Sequence, residues 1–299
     1  MLDATEGISG GDIMIDAFIT EARKGFHASL LDSVLKRDKK GIPTNADKDS
    51  RSSVRIATGI VQKIGWESTG ARMAGQMAGN KFEEICADFI KKTFLRLSHL
   101  RPGTWEVKRI GSRNRLEIAK YDQYAHLIML NECAKSDPRL AAVLGNDYTI
   151  TPDIIISREP EIDEKINELE YYVDKKHARL TSIRRINCSQ KILHASISCK
   201  WTIRSDRAQN ARSEALNLVR NRKGRLPHIV VVTGEPMPSR ISSIALGTGD
   251  IDCVYHFALN ELNETIKELD LDDARDMLKT MIDGKRLRDI SDLPLDLIV

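Results

Sequence analysis

A mixed α/β fold is what the sequence predicts, on three observations. Along residues 195–203, apolar Ala195, Ile197, Cys199, Trp201 and Ile203 alternate with Ser196, Ser198, Lys200 and Thr202, which is the period of a β-strand. Residues 226–234 (LPHIVVVTG) form a nearly continuous apolar run of strand length. Between such runs lie stripes at helical spacing, the clearest being Phe82, Ile85, Cys86, Phe89, Ile90, Phe94 and Leu97. Strands interleaved with helices in this way build a mixed central sheet flanked by helices. With 299 residues, 41% of them hydrophobic, the chain can bury a sizeable core. It is read as a single domain, 1–299, with peripheral N-terminal helices (about 1–45) and an inserted segment (about 159–190).

In chain order, residues 13–37 carry apolar side chains at roughly helical spacing and stop at Lys-Gly-Ile-Pro, 40–43. A polar loop, 44–53, leads into a short helical piece ending near Ile64, and a Gly- and Met-containing loop spans 70–80. Both loops are open to a ligand. Asn80 then opens the helix of the Phe82 stripe. Glu83 lies off that stripe, so it either closes a capping box with Asn80 or serves near a metal. A strand at 104–111 and a helix at 115–134 follow, the latter carrying His126, which reads as a packed or surface histidine. Residues 149–157 (TITPDIIIS) are β-branched and form a buried strand with Asp153 embedded in it. The 159–190 segment is acidic and helical in pattern. After the 195–203 strand, Ser205 and Asp206 suit the cap and first turn of a helix free of Gly and Pro. Strands at 226–234 and 250–259 and two amphipathic segments complete the chain.

Composition removes several classes. No apolar run reaches the length of a membrane span, and the N-terminus lacks the basic and apolar regions of a signal peptide, so a cytoplasmic protein with no membrane partner is expected. Five scattered cysteines with no CxxC spacing favour reduced thiols over disulfides or a zinc site. The net charge of +3 is too small to argue for nucleic acid by itself. Its distribution argues more: residues 204–225 hold seven Arg or Lys against two acids. Aromatic residues are only 5% of the chain, few platforms for stacking unpaired bases, so a nucleic-acid ligand would be duplex.

The chemistry follows from Asp153. A carboxylate on a buried strand is costly unless paired or bound to a cation, and Mg²⁺ takes one or two carboxylates together with water and substrate phosphate. Should the strand of Lys200 pair beside that of Asp153, the ammonium shares the site, and Glu214, fourteen residues further on, can complete it from the helix. Such a set hydrolyses phosphodiesters. Asp163 with Lys165 and Asp174 with Lys176 repeat the acid-x-lysine spacing in a charged segment that lacks a supporting strand. Asp250 and Asp252 have ligand spacing, although strand-end aspartates more often cap turns. Arg204, Asp206 and Arg207 suit G·C pairs, since Arg binds guanine O6 and N7 and Asp accepts from cytosine N4; local capping by Asp206 beside two surface arginines is the other reading.

Pro-Asp at 152–153, Ser-Cys-Lys at 198–200 and RSDRAQNARSE at 204–214, with the segments 101–127 and 224–259, resemble the PD-(D/E)xK type II restriction endonucleases, specifically the CCGG-reading group. The resemblance covers most of the chain from about Thr44 onward. It implies a restriction-endonuclease-like core, with Asp153, Lys200 and Glu214 as catalytic and metal residues. It also implies that Ser198 stands where the usual acid would, with Glu214 supplying that carboxylate, and that Glu83 is an auxiliary acid. Arg204, Asp206 and Arg207 would read the inner CCGG pairs, and Gln76 a flanking pair, with a second flanking contact near Asp49 or Ser50. The resemblance further implies Mg²⁺ as cofactor, duplex DNA as partner, a GCCGGC site cut to leave 5′-phosphate ends, and a homotetramer of two back-to-back dimers. Two rivals differ in outcome: a repair or structure-specific nuclease would cut without sequence preference, and a silent DNA-binding regulator would bind without cutting.

Overall fold

The computed structural model describes residues 16–65, 75–110, 116–145, 150–247 and 249–299, and of residues 205–207 the backbone alone. Six strands form one mixed sheet in chain order: β1 (Trp105–Arg109), β2 (Ile154–Arg158), β3 (Ile192–Lys200), β4 (His228–Thr233), β5 (Cys253–His256) and β6 (Leu287–Asp289). β1, β2 and β3 are antiparallel, whereas β3 to β6 run parallel. Three helices precede the sheet, α1 (Phe18–Ser33), α2 (Arg51–Ile64) and α3 (Gly75–Phe94). α4 (His126–Ser136) and α5 (Pro138–Leu144) lie between β1 and β2, and the single turn α6 (Asp163–Ile166) between β2 and β3. Parallel neighbours require crossovers. These are α7 (Ser205–Asn221), α8 (Pro238–Ala245) and the pair α9 (Leu259–Glu268) and α10 (Asp272–Asp283), before α11 (Leu293–Asp296) ends the fold.

Local chemistry accounts for the boundaries. The Ser50 side chain accepts from the Ser53 amide to start α2, and Gly65, at φ +90°, ends it in a conformation that costs glycine little. Asp137 caps α5 in the same way, with Pro138 in its first turn. β3 is buried on both faces, so Ser196 and Ser198 make its second face polar in type but closed to water. β4 reads as a continuous apolar run for the same reason. α3 packs its stripe against α1, β1 and β3, with Phe82 against Trp201 and Phe89 against Phe26.

Several expectations are corrected. α3 begins at Gly75, within the expected loop, so Asn80 is helix interior and closes no capping box with Glu83. The tail of α3 buries Phe82, Ile85, Phe89 and Ile90, each worth about 1.5–3 kcal/mol, against roughly 1 kcal/mol for a helical glycine such as Gly79. The 115–134 helix is instead two 3₁₀ turns, Glu117–Lys120 and Asp122–Tyr124, and then α4. Tyr124 accounts for the break: it is buried and donates from Oη to the Leu218 carbonyl at 2.9 Å. Beyond α6 the 159–190 segment is irregular, not helical. It winds around Arg184, 2% exposed, which donates to Asp163 and to the carbonyls of Asp174, His177 and Ala178. Such a knot satisfies backbone groups that a helix would otherwise pair. No helix among the described residues is long and apolar enough to cross a membrane.

Candidate active site

Because β2 and β3 are antiparallel, the start of β2 lies at the end of β3, and that is where the chemistry gathers. Asp153 sits one residue before β2, in its mouth and partly open, instead of embedded within it. Its main-chain carbonyl accepts from the Ile110 amide, which anchors it to the end of β1. One carboxylate oxygen, Asp153 Oδ2, accepts from the Cys199 amide at 2.6 Å, Ser198 Oγ at 3.4 Å and Lys200 Nζ at 3.1 Å. Asp153 and Lys200, distant in sequence, and Ser198, on β3 two residues before Lys200, are therefore brought together at the sheet end.

Lys200 is 19% exposed at its side chain. Burial pulls its pKa down, but the charges of Asp153 and Glu214 more than offset this and raise it, so the ammonium keeps its proton. Glu214 projects from α7 toward the same pair, with Oε1 buried and without a hydrogen-bond partner. Burial pushes its pKa up to about 8, the Asp153 charge adding and the Lys200 charge opposing. Glu83 on α3 reaches the group too: burial and then Asp153 raise its pKa, while Arg109, 3.2 Å away, opposes. A 210 Å³ cleft beside them is lined by Gln76, Asn80, Glu83, Lys200 and Asn210, so Gln76, in the first turn of α3, opens onto the same cleft as Lys200 and Glu83.

The donor set suits a hard divalent cation. Glu214 offers a buried oxygen with nothing bound to it, and Asp153 a second carboxylate beside it, both held by rigid elements. Among the described residues no group of three or more His, Cys, Asp or Glu is arranged to hold a metal, so the protein would contribute two carboxylates, with water and phosphate completing the shell.

Arg204 precedes α7, exposed, and lines two cavities of 80 and 520 Å³ together with Asp47 and Arg240. The side chains of Asp206 and Arg207 lie outside the described residues. Of the two positions read as a second flanking contact, Ser50 is the α2 cap and Asp49 is exposed; neither lines these cavities. Asp47 does, ion-paired with Arg240, and nothing in its loop singled it out beyond proximity. Glu235 was also missed. It is fully buried and accepts from the Ile203 amide at 2.8 Å and the Met237 amide at 3.2 Å. In the sequence it is an acid just after the apolar run 226–234, next to Pro236, with nothing to set it apart from a turn residue.

The competing acids have structural work. Asp163 pairs with Arg184, Lys165 with Glu168, and Asp174 accepts from the Lys176 and His177 amides. Asp252 accepts from the Ile229 amide at 2.8 Å and so ties β5 to β4.

Comparison with known proteins identifies the family. The family model described as NgoMIV restriction enzyme matches residues 26–299. The type II restriction enzyme NgoMIV of Neisseria gonorrhoeae is 57% identical over 286 residues, covering 95% of this chain and 100% of that enzyme. Among solved structures, the type IIF restriction endonuclease Bse634I with cognate DNA is 14% identical, with a TM-score of 0.38 over 82% of this chain and 91% of that one. A PspGI–substrate DNA complex is 16% identical, with a TM-score of 0.28 over 94% and 90%. On the family match and the identity to NgoMIV over nearly its whole length, the chain belongs to the NgoMIV restriction enzyme family and is a type II restriction endonuclease.

Proposed function

We propose that this enzyme hydrolyses duplex DNA at a palindromic CCGG-containing site, GCCGGC, using Mg²⁺ and leaving 5′-phosphate ends, and that it does so as a homotetramer of two back-to-back dimers. The observation that carries the reading is the Asp153–Lys200 pair at 3.1 Å with the buried, unsatisfied Glu214 Oε1 beside it. Asp153 and Glu214 would hold the metal, which when bound lowers the pKa of water and neutralises charge on the scissile phosphate. Lys200 orients or helps deprotonate the nucleophile at the attacked phosphate; its ammonium, held charged in the metal-free protein by Asp153 and Glu214, stands where that phosphate would lie. Ser198 contributes its hydroxyl to Asp153 and thereby helps fix that carboxylate. Glu83 adds negative potential next to Asp153.

Reading is assigned to the junction after β3. Arg204, Asp206 and Arg207 would address the inner CCGG pairs, and Gln76, in the cleft beside Lys200, a flanking pair. Each bidentate contact is worth about 1–3 kcal/mol of discrimination. Support for assembly comes from the 159–190 segment, where Leu169, Tyr171 and Leu180 are each largely exposed, apolar side chains of the kind that association covers. The deciding experiment is digestion of plasmid DNA with Mg²⁺, followed by sequencing of the ends. A single cut position within GCCGGC with ligatable 5′-phosphates is the expected result; cutting at scattered sequences would remove the specificity assigned here.

A further inference from the structure

The loop from Lys200 to Arg204 joins the residue assigned to cutting with one assigned to reading, and it is clamped at both ends by one short segment, 233–237. At one end Thr233 Oγ1 donates to the Lys200 carbonyl at 2.8 Å, and the Gly234 amide reaches the same oxygen at 3.3 Å. At the other, Glu235 Oε2 accepts from the Ile203 amide at 2.8 Å. Thr233 Oγ1 also accepts from the Glu235 amide at 3.1 Å, which closes the clamp on itself. The second carboxylate oxygen, Glu235 Oε1, accepts from the Met237 amide and lies 3.9 Å from Arg240 Nη1. Arg240 shares both cavities with Arg204. Gly234 leaves no room for slack, since a Cβ there would stand 2.5 Å from the Trp201 ring.

We infer that Glu235 is a positioning residue for sequence discrimination: a fully buried carboxylate that fixes the backbone before Arg204 and the guanidinium of Arg240 in one frame, and through Thr233 ties that frame to Lys200. This rests on the reading of Arg204 as a base contact. A structural polar pair would be cheaper made with an amide, because an ionised carboxylate in a buried site is costly without full compensation. Here two backbone N–H groups and a cation 3.9 Å away offset only part of that cost.

The charged groups facing Glu235 are Arg240 and Asp47, and the neighbouring His256, on β5, donates from Nε2 to the Glu235 main-chain carbonyl at 3.1 Å. Burial is the largest influence and raises the Glu235 pKa to about 7; the two amides and Arg240 oppose it, and Asp47 adds to it. The carboxylate therefore forms as pH rises through about 7, and only then do both oxygens accept fully. Its raised pKa means that stability is fully present below the ordinary carboxyl range and is lost as pH rises toward about 7, a loss that Glu235→Gln removes.

The test measures cleavage of a cognate duplex and of duplexes with one changed base pair, in wild type, Glu235→Gln and, in parallel, Arg204→Ala, between pH 6 and 8.5. In wild type the cognate-to-variant ratio should fall as pH falls through 7. In Glu235→Gln the ratio should be lower by about tenfold at pH 8.5, the scale of one hydrogen bond to a charged group, and flat with pH. The loss should lie in KM more than in kcat, and the melting temperature at pH 8.5 should be no lower than that of wild type. An unchanged ratio with an unchanged pH profile overturns the inference, as does a lowered ratio accompanied by a lowered melting temperature and an unaltered pH profile. Should Glu235→Gln fail to fold, Glu235→Asp, which keeps the charge and withdraws the carboxylate, is measured beside the wild-type pH profile and separates the same outcomes. Arg204→Ala reports separately on the base contact: discrimination unmoved there strikes at the reading of Arg204 and leaves the Glu235 profile as its own result.

Discussion

Lys200 and Glu214 illustrate opposite solutions to burial at one site. The ammonium is held charged chiefly by Asp153, whereas Glu214, its Oε1 buried without a hydrogen-bond partner, is pushed toward its neutral form by burial. Replacing Lys200 with alanine should leave site-specific DNA binding in gel-shift assays within a few fold and slow single-turnover cleavage by roughly 10²–10³-fold, the scale of losing one transition-state charge contact. Undiminished cutting would remove Lys200 from the chemistry. For Glu214 the sign follows from its raised pKa. In the metal-free protein its neutral form is favoured on folding, so stability is fully present below the ordinary carboxyl range and is lost as pH rises toward about 8. Glu214→Gln should therefore melt a few degrees higher than wild type at pH 8.5 in chelator, while losing cleavage. A lower melting temperature would show that the carboxylate is compensated by something other than Lys200. Asp153 and Lys200 were legible as residues because Pro-Asp before a β-branched run and an alternating strand ending in lysine both survive in the linear pattern. Glu235 was not, since a buried acid looks like any other until its two amide donors are in place.

At the scale of elements, α7 does two jobs: its first residues follow Arg204 and its third turn carries Glu214. Arg204→Ala should weaken binding to the cognate duplex by about 10–100-fold, corresponding to roughly 1–3 kcal/mol, and binding to nonspecific DNA much less. Equal losses in a fluorescence-anisotropy titration would make Arg204 a phosphate contact. The five longer strands were readable because periodicity and β-branching agreed with their burial; the order in which they stand in the sheet was not read from the sequence beyond the pairing of the Asp153 and Lys200 strands on which the site depends. Element ends were less so. α3 gains a turn over the Gly75–Asn80 stretch because its apolar tail is anchored on α1 and β3, a tertiary effect invisible to local propensity. The 159–190 segment misled in the other direction. Its charges look like a solvated helix face, yet Asp163 is committed to Arg184, and the carbonyls around Arg184 turn inward to that guanidinium.

For the whole molecule, the exposed side chains of Leu169, Tyr171 and Leu180 are among those that the proposed tetramer would cover. A plasmid with two recognition sites should be cut faster than one with a single site, and sedimentation velocity should give a species of four chains; equal rates and a lone dimer would count against coupled sites. The small strand β6 was missed because three residues carry too little pattern, although its Asp289 meets the Arg23 guanidinium of α1 and so joins the two ends of the chain. β3 has the contrary fate. It is flanked by β2 on one side and β4 on the other, and Lys200 is its last residue. Amide deuteration there should proceed only through global unfolding, so warming ought to extinguish nuclease activity and release these protons together, with no temperature at which the protein stays protected along this strand yet has stopped cutting.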